Sequence, residues 1–362
     1  MMIRLLAPLL ILLPVQTAAA QGVFLPRDEV AGLVSQAVEA AASDGVPMAA
    51  AAVANGAQVT ALTEIGAPDA GPPVRYRLGR VSSLYLAVVA HLLIEDGALG
   101  LDAPVNRHLP DALQVDDGRF GPVRVHHLLA QTGGFARMEP GLLTRDPQAV
   151  AMSADEAARF VAQWRSPGRA PDFDPIGLGL LARVIEGVTG EPYAQVLADR
   201  VLTPLGLAQT GLDLQIAPPL ADCVLAPGDC TPLQARAFLR PVFGITASAD
   251  DLAQFAAALT RRDFPGRKAR QRLFTRQAGL NPAAPGVTHG LMVEDLRGRR
   301  AFSLASNEAG AKAVITLMPP QGIAVVAVAA TAAAAPPAQD YAAARFAARL
   351  PLAVANRYVP PT

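Results

Sequence analysis

The side chains able to do covalent chemistry are few, and their spacing excludes most familiar reactive centres. The five histidines are His91, His108, His126, His127 and His289, and none forms His-x-His or His-Glu-x-x-His, spacings that would put two ligands on one metal. They read as structural or surface histidines. The two cysteines, Cys223 and Cys230, have no histidine nearby and make no metal site. No Gly-Lys dipeptide occurs, so there is no phosphate-binding P-loop, and there is no Gly-x-Ser-x-Gly elbow. Gly177-Leu-Gly179-Leu-Leu-Ala182 has the spacing of a dinucleotide fingerprint. It follows Asp172-Phe-Asp-Pro175 rather than an apolar strand, so the required context is missing. No metal and no cofactor is expected. Ser82 and Ser83 remain as possible nucleophiles, and the only lysines are Lys268 and Lys312.

Periodicity gives the helices and strands on which these residues sit. Asp28 to Ser43 has helical spacing at Val30, Leu33, Val34, Val38 and Ala41. Met48–Val53 and Gln58–Glu64 flank Asn55-Gly56, a hairpin signal. Ser83–Ile94 is apolar on every side and predicts a buried central helix, ending at Glu95-Asp96-Gly97. Ser82 and Ser83 then lie in its first turn, where a hydroxyl can cap it. Ser153-Ala-Asp-Glu156 is a capping box that predicts a helix burying Ala157, Phe160, Val161 and Trp164. Leu180–Val188, Tyr193–Leu202 and a segment from Ser248 predict further helices. Strands are predicted at Gly290–Asp295, Ala301–Leu304, Ala313–Leu317 and Ile323–Ala329, with a closing helix over Pro337–Leu350. Strands at both chain ends with helices between imply an α/β (α+β) fold. One antiparallel sheet is built from residues 21–105 and 240–362, and an all-helical domain over 106–239 is inserted.

Residues 1–20 read as a signal peptide. A charged Arg4 precedes an apolar run to Val15 and an Ala18-Ala-Ala20 cleavage site. The run is shorter than the ~20 residues of a membrane span, so no stable span is expected and the protein is placed in the periplasm or outside the cell. In such a compartment Cys223 and Cys230 are expected to form a disulfide, worth roughly 2.5 kcal/mol on chain-entropy grounds. Lys+Arg and Asp+Glu are both 31, and without a basic excess nucleic acid is not an expected partner.

Several segments together resemble the serine β-lactamase-like family, which includes class C β-lactamases, D-Ala-D-Ala carboxypeptidases and related esterases. They are Tyr76-Arg-Leu-Gly-Arg-Val-Ser-Ser-Leu-Tyr-Leu-Ala87 running into Ile94-Glu-Asp-Gly97 and Leu101-Asp-Ala-Pro-Val105, then Val125-His-His-Leu-Leu-Ala-Gln-Thr-Gly-Gly-Phe135, Leu180-Leu-Ala-Arg-Val-Ile-Glu-Gly-Val-Thr-Gly-Glu-Pro-Tyr193, Pro204-Leu-Gly-Leu207 and Gly244-Ile-Thr-Ala-Ser-Ala-Asp-Asp-Leu252. The resemblance spans roughly residues 28 to 350. It implies the same two-part fold, a mixed α/β domain from both chain ends with an all-helical domain between.

The resemblance also implies where chemistry should be, and each place is altered. These enzymes carry Ser-x-x-Lys at the start of the central helix, where positions i and i+3 share a face and the amine can deprotonate the serine. The gap-free match puts Arg80 at the serine and Ser83 at the lysine. Pro265 precedes Lys268 by three positions and Ala309 precedes Lys312 by three, so no Ser-x-x-Lys exists anywhere in the chain. The family's Tyr-x-Asn falls on Phe173-Asp174-Pro175, which lacks the hydroxyl and the amide. Its Lys-Thr-Gly or His-x-Gly strand falls on Leu304-Ala305-Ser306. Arginine is no nucleophile and stays charged.

The expected function is therefore a catalytically inactive binding or regulatory homologue. Its partner would be a peptidoglycan fragment, another carboxylate ligand or a periplasmic protein. The alternative is a serine hydrolase of esterase, β-lactamase or peptidase type using Ser82 or Ser83. Arg80 is expected to need a carboxylate partner, with Asp174 first and Glu308 or Asp172 behind it, or else to bind a ligand's carboxylate together with Asp174.

Overall fold

The computed structural model describes residues 25–68, 72–135, 153–169, 171, 173–212, 220–225, 238–277, 286–308, 310–332 and 335–361. Residues 1–20, Asp172 and Cys230 lie outside them, and with these the expected leader and the Cys223–Cys230 bond.

A seven-stranded antiparallel sheet forms from both ends of the chain. Its strands are β1 (Met48–Asn55), β2 (Gln58–Ile65), β6 (Gly286–Val287), β7 (Met292–Asp295), β8 (Arg300–Glu308), β9 (Ala311–Met318) and β10 (Ile323–Ala330), in the order β2-β1-β10-β9-β8-β7-β6. The N-terminal β1 pairs directly with the C-terminal β10, from Met48 opposite Ala330 to Asn55 opposite Ile323. A second sheet of three short strands, β3 (Tyr76–Arg77), β5 (Thr246–Ala247) and β4 (Thr210–Gly211), ties the helical stretch back to the start of the chain's core.

The central strands are alanine- and valine-rich because both faces are covered. Alternate residues face opposite ways along a strand. Ala50, Ala52 and Ala54 of β1 join the cluster around helix α2 (Ser82–Glu95) and helix α4 (Ala249–Thr260). Ala49, Ala51 and Val53 join helix α1 (Arg27–Ser43) and helix α5 (Pro337–Tyr358) on the other face. α2 is buried from Ser82 to His91 and again at Leu93, as its all-round apolar sequence requires. Helix α3 (Pro175–Thr189) packs its apolar residues into the same cluster as α2. Among the described residues no helix is long and apolar enough to cross a membrane.

The structure departs from the sequence-based expectations in three places. The helix opened by the Ser153–Glu156 capping box lasts one turn, Ala154–Ala157, before a tight turn to Phe160. The chain then straightens so that Gln163 bridges Phe135 and the Trp164 N–H donates to the Gly134 carbonyl, which leaves Trp164 74% exposed instead of buried. α5 runs on to Tyr358, through Pro351. β8 continues past Leu304 to Glu308, and that extension bears directly on the site.

Candidate functional site

The candidate site centres on the turn that leads into α2. Residues Gly79–Val81 form one tight helical turn. Gly79 has φ +48°, a conformation that favours glycine. A side chain there would meet Glu308 Oε1 at 2.1 Å and Ser306 Oγ at 2.2 Å, so the glycine makes room for the end of β8. The Arg80 N–H donates to Ser306 Oγ at 3.0 Å, and the Ser306 hydroxyl donates to Glu308 Oε1 at 3.0 Å. Burial raises the Glu308 carboxyl above the usual carboxylate range, against the Ser306 hydroxyl and the Arg77 charge.

Leu304, expected to face this turn, is 1% exposed and packs in the α2 cluster. Ser306 and Glu308 meet the turn in its place, because β8 keeps its alternation for four residues beyond its apolar stretch.

The Arg80 guanidinium carbon lies 4.2 Å from the centre of the Phe173 ring. Phe173 is wedged edge-on against Phe243, with centroids 5.9 Å apart at 84°. A desolvated cation over an aromatic face is worth about 2 kcal/mol. No ion pair joins Arg80 to Asp174, Glu308 or any other described carboxylate, Asp172 lies outside the described residues, and the Arg80 Nε is shut off from solvent without a hydrogen bond among them. Burial lowers its pKa to about 10, with no opposing charge contributing, so it is cationic at neutral pH. Asp174 has a different task. It is the N-cap of α3, its Oδ1 accepting from the Gly177 N–H at 2.8 Å, and Pro175 fills the first helical position, where no donor is missed.

The two serines brace the turn rather than cap α2, whose N-cap is Val81. Ser82 Oγ accepts from the Ile245 N–H at 3.0 Å, and Ser83 Oγ donates to the Arg80 carbonyl at 2.8 Å. They are 0% and 2% exposed. Among the described residues neither is hydrogen-bonded to a side chain that could act as a base. Lys268 is exposed on the helix Arg267–Leu273. Lys312 donates to Asp340 Oδ1 at 2.6 Å and to the Glu308 carbonyl. His91 is buried further along α2, its Nε2–H donating to the His289 carbonyl at 3.0 Å. Among the described residues no cluster of His, Cys, Asp and Glu is able to hold a metal ion.

The structure thus brings together Arg80, Phe173, Ser306 and Glu308. Arg80 and Phe173 were legible as site positions. Ser306 appeared as the last residue of the third segment, whereas Glu308 was considered only as a partner for Arg80. The signal that would have found both is the in–out alternation running Leu304, Ser306, Glu308.

Comparison with known proteins places this geometry in context. Residues 30–350 match the Beta-lactamase family. The chain is 30% identical over 165 residues to the esterase EstB of Burkholderia gladioli, covering 40% of this chain and 41% of that one. It is 32% identical over 141 residues to penicillin-binding protein 4 of Amycolatopsis lactamdurans, covering 37% and 35%. The matches thus span about two fifths of these relatives' own length. The fold is shared with the octameric penicillin-binding protein homologue from Pyrococcus abyssi, at TM-score 0.68 and 21% identity over 87% of this chain and 76% of that one. It is also shared with the D-amino acid amidase of Ochrobactrum anthropi SV3, at TM-score 0.69 and 18% identity over 90% and 99%.

Proposed function

The chain belongs to the β-lactamase family, and on that basis we propose that it is an exported member whose cleft binds without hydrolysing. Acyl transfer to a serine needs a free hydroxyl, a base within reach and donors for the developing oxyanion. The observation that carries the reading is Arg80. It stands where the family resemblance puts the nucleophile, at the turn into α2, and its side chain lies on Phe173 where the resemblance puts a tyrosine. The nearby hydroxyls of Ser82 and Ser83 are buried in bonds to the backbone, Lys312 is bonded to Asp340, and Lys268 is exposed on a separate helix. Losing one member of such a constellation costs several powers of ten in rate. The residue types at all three family positions support an inert scaffold that holds a ligand or a partner protein of the periplasm.

Intact-mass measurement tests this reading. The folded protein is incubated with a penicillin and, separately, with a fluorophosphonate, alongside Ser82→Ala and Ser83→Ala. No adduct is expected in any sample. An adduct lost in one alanine variant overturns the proposal and makes that serine the nucleophile of a hydrolase.

A further inference from the structure

Among the described residues, the Arg80 guanidinium has an aromatic support but no counter-charge. One face lies on Phe173 at 4.2 Å. Its Nε is shut off from solvent with no acceptor among the described residues. The carboxylates that would neutralise it are otherwise engaged: Asp174 caps α3, and Glu308 takes the Ser306 hydroxyl on the backbone side of the turn. The residue is only partly buried, and no hydrogen bond joins its terminal nitrogens to the described residues. A cation partly withdrawn from water, with no counter-charge among the described residues, gains from an anion that completes the site.

We propose that Arg80 is a receptor for the carboxylate of a ligand, gripped by the planar edge of the guanidinium while Phe173 holds its face. The inference rests on the binding reading above and names the ligand chemistry of the same cleft. A carboxylate suits the site because its two oxygens match the paired N–H groups of a guanidinium edge. Phe173 fixes the plane in which they must approach. The carboxylate is carried by a free small acid or by the end of a peptide, and the two differ only in the size of the group attached to it.

The test titrates the full protein by calorimetry with N-acetylglycine, with a short peptide bearing a free C-terminus, with the amides of both, and with inorganic phosphate. A parallel NMR titration follows the Arg80 Nε–Hε signal. Both acids are expected to bind and shift that signal, and both amides to fail. Arg80→Gln is expected to weaken acid binding at least ~10-fold, and Arg80→Lys, which keeps the charge but loses the fork, by about half as much on a logarithmic scale. Circular dichroism confirms that each variant is folded. A peptide acid binding at least ~10-fold tighter than N-acetylglycine identifies a chain terminus as the ligand, and equal affinities a free acid. No response to either acid at about 10 mM, equal binding of acids and amides, binding of phosphate alone, or unchanged affinity in Arg80→Gln overturns the inference. These outcomes are independent of the covalent test: an adduct with a serine probe removes the inert-scaffold reading, whereas silence of the Arg80 signal removes only the carboxylate receptor.

Discussion

Arg80 and Phe173 form a cation–aromatic stack, with 4.2 Å between the guanidinium carbon and the ring centre. The stack joins the turn before α2 to the residue before the N-cap of α3, so it couples two elements of the candidate site. Phe173→Leu keeps apolar contact but removes the π face, and is expected to lower unfolding free energy by about 1–2 kcal/mol. In an Arg80→Met background the same change is expected to cost less, because the cation is gone. Denaturant unfolding of the four proteins measures the coupling. Equal losses in both backgrounds would mean that the ring contributes packing only.

Gly79 is expected to tolerate no side chain while Glu308 is present. Alanine there is strained by the φ of +48° and meets Glu308 Oε1 at 2.1 Å and Ser306 Oγ at 2.2 Å. Gly79→Ala is expected to cost about 2–3 kcal/mol. Adding Glu308→Ala removes one clash but leaves the backbone strain, so part of the loss should return. Thermal melts of the single and double variants decide this. Simple additivity would place the cost in the backbone and at Ser306 rather than at Glu308.

The Glu308 carboxyl is raised by burial, which sets the sign of its contribution. Folding favours the protonated form, so its contribution to stability is present below the ordinary glutamate range and is lost as pH rises through the folded value. Glu308→Gln imitates the neutral acid. It is expected to match wild type near pH ~4 and to be the more stable protein near pH ~7. A variant less stable than wild type at neutral pH would show instead that the ionised carboxylate is stabilised by Ser306 and Arg77.

His91 and His289 form a buried pair with ring centres 5.9 Å apart. Burial holds their pKa values down at about 4 and about 3. A depressed histidine gives stability that is complete above the unfolded pKa and is lost as pH falls through it toward the folded value. The protein is therefore expected to lose stability from pH ~6.5 down to ~4 for His91 and ~3 for His289, at up to about 1.4 kcal/mol per pH unit for each histidine. Both ring nitrogens of His289 lack a hydrogen-bond partner among the described residues. His289→Leu is expected to be neutral or stabilising at pH 7 and to reduce the acid slope by one proton. An unchanged slope would place the acid sensitivity elsewhere.

The fold was largely legible because its signals are periodic. The apolar run of α2, the Asn55-Gly56 hairpin and the alternating terminal strands are local patterns, and together they imply a sheet closed by both chain ends. Arg80 was legible as a site position only through the family resemblance, and its residue type then excludes a nucleophile. What was not legible depends on contacts distant in sequence. An arginine leaving water accepts either a carboxylate or an aromatic face, and nothing local chooses Phe173 over Asp174. Asp174 followed by Pro175 carried a local signal of its own, an N-cap with proline at the first helical position, and that role took the carboxylate. The strand expected over Ala301–Leu304 runs on to Glu308, and the polar Ser306 and Glu308 occupy inward positions in the same alternation. Trp164 was misplaced for the opposite reason. Its helical spacing was real, but pairing with the Gly134–Phe135 stretch overrode it.

Lys312 provides a last prediction about how charge is arranged behind the cleft. Its side chain is 2% exposed, whereas its partner Asp340 is 40% exposed. The two ends of this pair are therefore not equivalent. Removing Asp340 leaves an ammonium enclosed with only the Glu308 carbonyl to accept from it, whereas removing Lys312 leaves a carboxylate that water can still reach. Breaking a pair so that a buried charge is stranded costs about 3 kcal/mol, and replacing the buried cation by an apolar side chain of similar length costs much less. Asp340→Ala is thus expected to destabilise the protein by more than Lys312→Met, and the double variant to resemble Lys312→Met alone. Urea unfolding at neutral pH measures the order. Because Lys312 also binds the carbonyl of Glu308, Asp340→Ala should disturb the Arg80 Nε–Hε signal less than Lys312→Met does. If Asp340→Ala proved the milder change, the ammonium would have a second route to solvent and the pair would be an ordinary surface bridge.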